Sequence, residues 1–127
     1  MTEFYSRHDE FLADFTCAFT MAIASRLGIG HTRFIRSSEL NASGSKTERL
    51  LSILGPLGAT HYISGPSARD YLDIPLLNDA GIGVEFMEYD YPEYPQLHGT
   101  YQPRVSILDL LLNTGPQAPK YIWDRTR

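Results

Sequence analysis

Two short stretches carry side chains that can bind an anion or move a proton. In "HYISGPSARDYLDIP", residues 61–75, an apolar run stops at Ser64-Gly65-Pro66, and Ser67, Arg69 and Asp70 follow within one helical turn. Gly65 lets a ligand approach the backbone closely, and Ser67 can cap a helix whose free N–H groups attract negative charge. Arg69 offers a forked cation for a phosphate or carboxylate, and Asp70 an acceptor for a sugar hydroxyl. The plainer reading of the same residues is a capped turn with an Arg69–Asp70 surface pair. The second stretch, "VEFMEYDYPEYPQLHG" at 84–99, mixes carboxylates with aromatic rings and prolines. Tyr89, Tyr91 and Tyr94 can form a stacking platform for a sugar or base, or a plug packed on the sheet. Asp90, Glu93 and His98 are its acid–base candidates.

Other patterns are absent or incomplete. "GSKTE" at 44–48 lacks the Gly-Lys-[Ser/Thr] order and the earlier glycine of a phosphate loop, so only a weakly basic helix start with Lys46 and Arg49 remains. His8, His31, His61 and His98 are scattered without metal-ligand spacing. No G-x-S-x-G nucleophile elbow occurs. Neither a metal nor a cofactor is expected.

The elements that must position these residues follow from hydrophobic spacing. Phe11, Leu12, Phe15, Phe19, Ala22, Ile23 and Leu27 describe one helical stripe ended by Gly28 and Gly30. "HTRFIRSS" suits a first strand. Ser43 or Ser45 can cap a helix bearing Leu50, Leu51, Ile53 and Leu54, closed by Pro56 and Gly58. "ATHYIS" is a second strand, "PSARDYLDIPLLNDAG" a helical segment broken at Pro75, and "IGVEFMEY" a third strand. Three prolines make the stretch after it an irregular loop, and Ser106 can cap a last helix, "ILDLLLN", stopped by Gly115 and Pro116. Alternating helices and strands predict one α/β domain over residues 1–127, with an open three-strand parallel sheet flanked by helices. Ligands of such sheets sit beyond the carboxyl ends of the strands. That rule gathers Ser37-Ser38, the Ser64–Asp70 turn and Glu88-Tyr89-Asp90. Asp109 and Asn113, four apart on one helix face, can point at the same crevice. Three strands make a thin sheet, because a parallel sheet needs both faces covered and its edges protected.

Composition excludes some partners. The 127 residues are 43% hydrophobic and 20% charged, with a net charge of −4. Nothing basic attracts nucleic acid or an acidic membrane. No stretch reaches the ~20 apolar residues of a membrane span. The single Cys17 reads as a small core hydrophobe in a reducing, cytoplasmic compartment.

Taken together, "KTERL", "LGATHYISGPSARDYLD", "YPEYPQLHG" and "VSILDLLLNTGP" resemble the WbqC-like family of bacterial proteins, in order and spacing over residues 46–116. Residues 1–40 resemble it loosely, through a helix, a strand and the "RSSEL" step. The resemblance implies the C-terminal part of a larger unit. Family members carry a further N-terminal half with an aromatic-proline stretch of the type Gln-Pro-Tyr-Phe-Phe-Pro-Tyr, and Met1 falls where the family is already in mid-chain. The expected fold is then an incomplete, Rossmann-like half, able to form homo-oligomers through an exposed sheet edge. The family is associated with bacterial surface polysaccharide (O-antigen) biosynthesis. The resemblance therefore implies group transfer onto a nucleotide-linked amino sugar, with no nucleic acid and no membrane span. Ser64, Gly65, Ser67 and Arg69 would hold the anionic group and Asp70 a hydroxyl. Tyr94, Gln96 and His98 would contact the sugar, with His98 as proton carrier, Asp109 as second catalytic group and Asn113 as a further ligand-binding residue at the same crevice. The alternatives are a non-catalytic ligand-binding or scaffold module and a truncated, inactive fragment.

Overall fold

The computed structural model describes residues 2–123, so Met1 lies outside them. The chain divides into two compact units, one of residues Ile35–Asp90, the other of the residues up to Phe34 with those from Tyr91 onward.

The Ile35–Asp90 unit contains helix α3 (Lys46–Leu54), strand β1 (His61–Ser64), a 3₁₀ turn at Pro66–Asp70, helix α4 (Ile74–Asp79) and strand β2 (Gly83–Phe86). The strands pair in parallel, with His61 opposite Gly83 and Ser64 opposite Phe86. A parallel pair needs a crossover, which the 3₁₀ turn and α4 provide. Tyr62, Val84 and Phe86 face inward onto Leu72, Leu77 and Ile82, with Leu50, Leu51, Leu54 and Ile74 closing the cluster. His61, Ile63 and Glu85 alternate to the other face and are exposed.

Ser45 occupies the extended cap position of α3, yet its side chain makes no cap bond. The preceding loop is fastened to α3 instead. The Ser43 N–H donates to Ser52 Oγ at 3.0 Å, and Arg49 Nη1 donates to the Ala42 carbonyl at 3.2 Å. Gly44 is needed there because its φ is +78° and a Cβ would lie 3.1 Å from Glu48 Cβ.

Two expectations are corrected in this unit. The parallel pairing and the flanking helices are as expected, but the sheet of the described residues has two strands and not three, with α3 and α4 packed on the face of Tyr62, Val84 and Phe86. Residues 32–36 form no strand, and Ser37–Glu39 is a 3₁₀ turn. The β-favouring Thr32, Phe34 and Ile35 do leave the end of this stretch extended, with Arg36 at φ −82°, ψ 132°. A strand also needs a partner for its backbone groups, however, and here the chain is passing between units, the boundary falling after Phe34. Pro75 also does not break a helix. It stands in the first turn of α4, where its missing N–H is not required, and Asp73 caps that turn by accepting from the Leu76 N–H at 3.1 Å. The interruption lies earlier, at residues 71–73.

The other unit contains helices α1 (Thr2–Tyr5), α2 (Leu12–Arg26), α5 (Ile107–Thr114) and α6 (Ala118–Trp123), with the tyrosine-proline loop from Tyr91 leading into α5. Its core is Leu27, Leu110 and Ala118, joined by Ile23, Ile29, Leu111, Tyr94, Tyr121 and Ile122. Phe4, Phe15 and Phe19 form a second aromatic cluster, with ring centroids 5.0 to 6.3 Å apart. The expected stripe of α2 is inward from Phe15 onward, whereas Phe11 and Leu12 at its start are exposed. Its end is as anticipated: Gly28 has φ +77°, its N–H donates to the Ser25 carbonyl, and the Ile29 N–H donates to that of Ala24. This is the two-bond closure that a left-handed residue permits. Ser106 caps α5 through the Leu108 N–H at 3.2 Å. Helix α6 follows the turn at Gly115 and was not anticipated.

A two-strand parallel pair leaves its outer strand edges open, which commonly drives association. The sedimentation coefficient of the chain is expected to rise with concentration over the micromolar range. A concentration-independent monomer would show that the two-strand sheet is sufficient alone.

Candidate functional site

At the carboxyl end of β1 the chain turns through Gly65, which is extended at φ −71°, ψ 157°. Pro66 then opens the 3₁₀ turn, and Ala68 anchors it, 3% exposed. Ser67, Arg69 and Asp70 are left on the outside. The expected helix capped by Ser67 is absent, since the cap position is Gly65 and the turn is only five residues long. Free helical N–H groups therefore add little here, and the cation of the turn is its main polar asset.

That cation is positioned by β2. The Arg69 guanidinium lies over the Phe86 ring, 4.7 Å from its centroid. Its Nη2 is 3.4 Å from Glu88 Oε1, and both side chains are more than half exposed. The partner of Arg69 is thus Glu88 and not Asp70. Stacking holds the planar cation in a fixed orientation with little loss of hydration, while the exposed Glu88 pair is weak and exchangeable. Two of the three expected strand tips meet in this way. Ser37 and Ser38 do not end a strand. Phe86 gave no signal in the sequence beyond its place on the inward face of β2.

The start of α3 borders a separate hollow of about 360 Å³ lined by Ser45, Lys46, Thr47, Glu48, Tyr71, Asp73 and Leu76. Thr47 is 5% exposed, and its Oγ1 accepts from the Asp73 N–H at 3.0 Å, tying α3 to the start of α4. Lys46 has φ +48°, unusual for a side chain of its length.

In the other unit Asp109 is the centre of a network. Its Oδ2 accepts from Tyr94 Oη at 2.7 Å and from Gln96 Nε2 at 2.9 Å. Gln96 also exchanges two bonds with the Gln102 backbone, 3.1 Å to its carbonyl and 2.8 Å from its N–H. Asn113 turns back along the helix and donates to the Asp109 carbonyl at 2.8 Å. The Tyr94 ring meets Tyr101 and Tyr121 edge-on at 5.4 and 5.9 Å, and Tyr101 Oη donates to the Pro92 carbonyl. The aromatic loop is therefore fastened to the helices of its own unit, with Tyr94 inside and Tyr91 and His98 exposed. Four of the expected site residues, Tyr94, Gln96, Asp109 and Asn113, come together. His98 is not among their bonded partners. Tyr101, Gln102 and Tyr121 complete the network without any motif to announce them.

Burial, and then the bond to Asp109, push the Tyr94 phenol above its ordinary value, against a smaller opposing effect of Gln96. A raised value means that the folded chain keeps this proton after the unfolded chain has begun to lose it. The stabilisation is therefore complete below about pH 10 and declines as pH rises through the folded value. Urea midpoints measured from pH 8 to 11 are expected to fall more steeply for the wild type than for Tyr94→Phe. At neutral pH Tyr94→Phe is expected to lose about 0.5–1.5 kcal/mol. Parallel curves would place the proton elsewhere.

Among the described residues no group of three or more His, Cys, Asp or Glu is placed to hold a metal ion, and no helix is long and apolar enough to cross a membrane. Cys17 is half-buried and unbonded to another cysteine.

The sequence pattern of the WbqC-like protein family matches residues 1–121, well beyond the 46–116 stretch that carries the motif-level resemblance. The chain is also similar to the uncharacterized protein Rv1507c of Mycobacterium tuberculosis, 46% identical over 102 residues, which are 80% of this chain and 44% of that protein. It thus spans less than half the length of this relative. No solved structure matches the chain.

Proposed function

Because the chain belongs to the WbqC-like protein family, we propose that it serves bacterial surface polysaccharide biosynthesis by binding a nucleotide-linked amino sugar for group transfer. The observation that carries this reading is the Arg69 guanidinium, stacked on Phe86 at the carboxyl end of a parallel strand pair and paired with the exposed carboxylate of Glu88. An incoming diphosphate can displace Glu88 and take the fork of Arg69 in a bidentate contact. Ser64, Gly65 and Ser67 add short polar groups and close backbone approach, and Asp70 accepts from a ribose or sugar hydroxyl. The parallel pair is read as the core of a larger nucleotide-binding α/β layer. His98, exposed on the loop of the other unit, is a proposed proton carrier by its chemistry alone. Asp109 is reassigned from a reacting carboxylate to the acceptor that holds Tyr94 and Gln96.

That same network favours a second reading, a non-catalytic binding module. The Asp109 carboxylate is held in place through Oδ2, which already accepts from a phenol and an amide, and that favours a positioning role over proton transfer. Titration of the chain with nucleotide-linked sugars, free nucleotides and free sugars tests the proposal. Saturable binding of the nucleotide-linked sugars is expected. Absence of binding would remove both readings, and binding without turnover in the presence of acyl or amino donors would leave the binding module.

A further inference from the structure

The unit built from α2, α5 and α6 has a hollow of about 350 Å³ lined by Arg26, Leu111, Leu112, Gly115 and Pro116. Its walls follow from two helix ends. The closure of α2 at Gly28 leaves Arg26 in the last helical turn, exposed on the surface. Helix α5 ends at Gly115, where φ is +53° and the chain turns sharply before Pro116. Leu111 is half-buried against the Leu27–Leu110–Ala118 core, while Leu112 stands 71% exposed at the rim.

The polar groups at this end of α5 are already bonded. The Asn113 amide donates to the Asp109 carbonyl, Thr114 Oγ1 to that of Leu110, and the Gly115 N–H to that of Leu111. Among the described residues, Arg26 is the one charged side chain of the lining and no carboxylate pairs with it. Its effect on the α2 dipole explains a cation in the last turn. It does not explain an apolar wall with an exposed leucine beside that cation.

We propose that this hollow binds a flexible aliphatic chain with an anionic oxygen head, the chain lying along Leu111, Leu112 and Pro116 and the head on the Arg26 guanidinium. The fit is one of charge and polarity: apolar walls favour methylene groups, and a guanidinium beside them takes a carboxylate or phosphate in a forked contact. The volume is at the small end of ligand pockets and suits a chain of medium length. This site lies in a different unit from the Arg69 turn and does not depend on the nucleotide-sugar reading.

The test is calorimetric titration of the whole chain with decanoate, decyl phosphate and decylammonium, each below its micellar concentration. Decanoate or decyl phosphate is expected to bind saturably at one site, the tighter of the two identifying the preferred head, and decylammonium is expected not to bind. Arg26→Gln is expected to weaken the anionic ligand about ten- to hundredfold with an unchanged melting temperature. Should that variant fail to fold, Leu112→Asp, at an exposed position, is expected to show the same loss. The proposal is overturned if neither anion binds saturably, if decylammonium binds as well, or if a folded variant binds like the wild type.

Discussion

Leu77→Ala is expected to cost about 2–5 kcal/mol and to abolish or severely lower the melting transition of the Ile35–Asp90 unit. Leu77 is the large side chain with no exposed surface, and it sits in α4 between Leu72, Ile82 and the inward residues of both strands. Its backbone carbonyl also accepts from the Ile82 N–H at 3.0 Å, so the residue sets the turn from α4 into β2. A large domain distributes such a loss over many core residues. Here the fully buried apolar core of the unit is little more than Leu72, Leu77 and Ile82, with Ala68 beneath the turn. A whole domain has a net stability of only about 5–15 kcal/mol, so this loss is a large share. Chemical denaturation followed by circular dichroism, with amide exchange in β1 and β2, measures it. Leu77→Met, which nearly conserves volume, is expected to cost less than about 1.5 kcal/mol. Equal midpoints for Leu77→Ala and wild type would show that the packing of α4 on the sheet does not hold this unit together.

Local signals made much of this fold legible. Helix α2 announced its end through Gly28, and α5 its start through Ser106, because caps and closures depend on residues a few positions apart. The strands β1 and β2 were legible from β-branched and aromatic residues next to turn signals. The segment at 32–36 carried the same signal and is no strand, since pairing depends on what lies beside it and not on its own residues. Pro75 was misread for the converse reason: a proline both ends and begins helices, and only the Asp73 cap decides between them. The candidate site was legible in its residue types and less so in their roles. The plainer reading paired Arg69 with its neighbour Asp70, whereas its ion pair is with Glu88, nineteen residues away. Asp109 looked free for chemistry until Tyr94, fifteen residues before it, proved to be its partner. Such pairings are set by tertiary packing, which no spacing rule within one segment reports.

The second large effect is expected in binding. Arg69→Ala removes the cation of the β1 turn and its stacking on Phe86. Loss of a charge-assisted contact costs about 1.5–3 kcal/mol, roughly ten- to hundredfold in affinity. The folding cost is expected to stay below about 1 kcal/mol, because the Glu88 pair is long and exposed on both sides. Glu88→Gln is expected to act in the opposite direction: it removes the carboxylate that competes for Arg69, so an anionic ligand binds it slightly more tightly. The contrast between the two variants separates an anion site from a surface ion pair, which would lose stability in both and affinity in neither.

Calorimetric titration of a uridine diphosphate-linked N-acetylhexosamine, and of other nucleotide-linked amino sugars, into wild type and Arg69→Ala tests the anion site most directly. Thermal melts of both proteins accompany it. Saturable binding by the wild type to at least one of these ligands is expected, weakened about ten- to hundredfold in Arg69→Ala with the melting temperature preserved. Binding of equal strength by both proteins, no binding to any nucleotide-linked sugar, or a variant that no longer folds would contradict it.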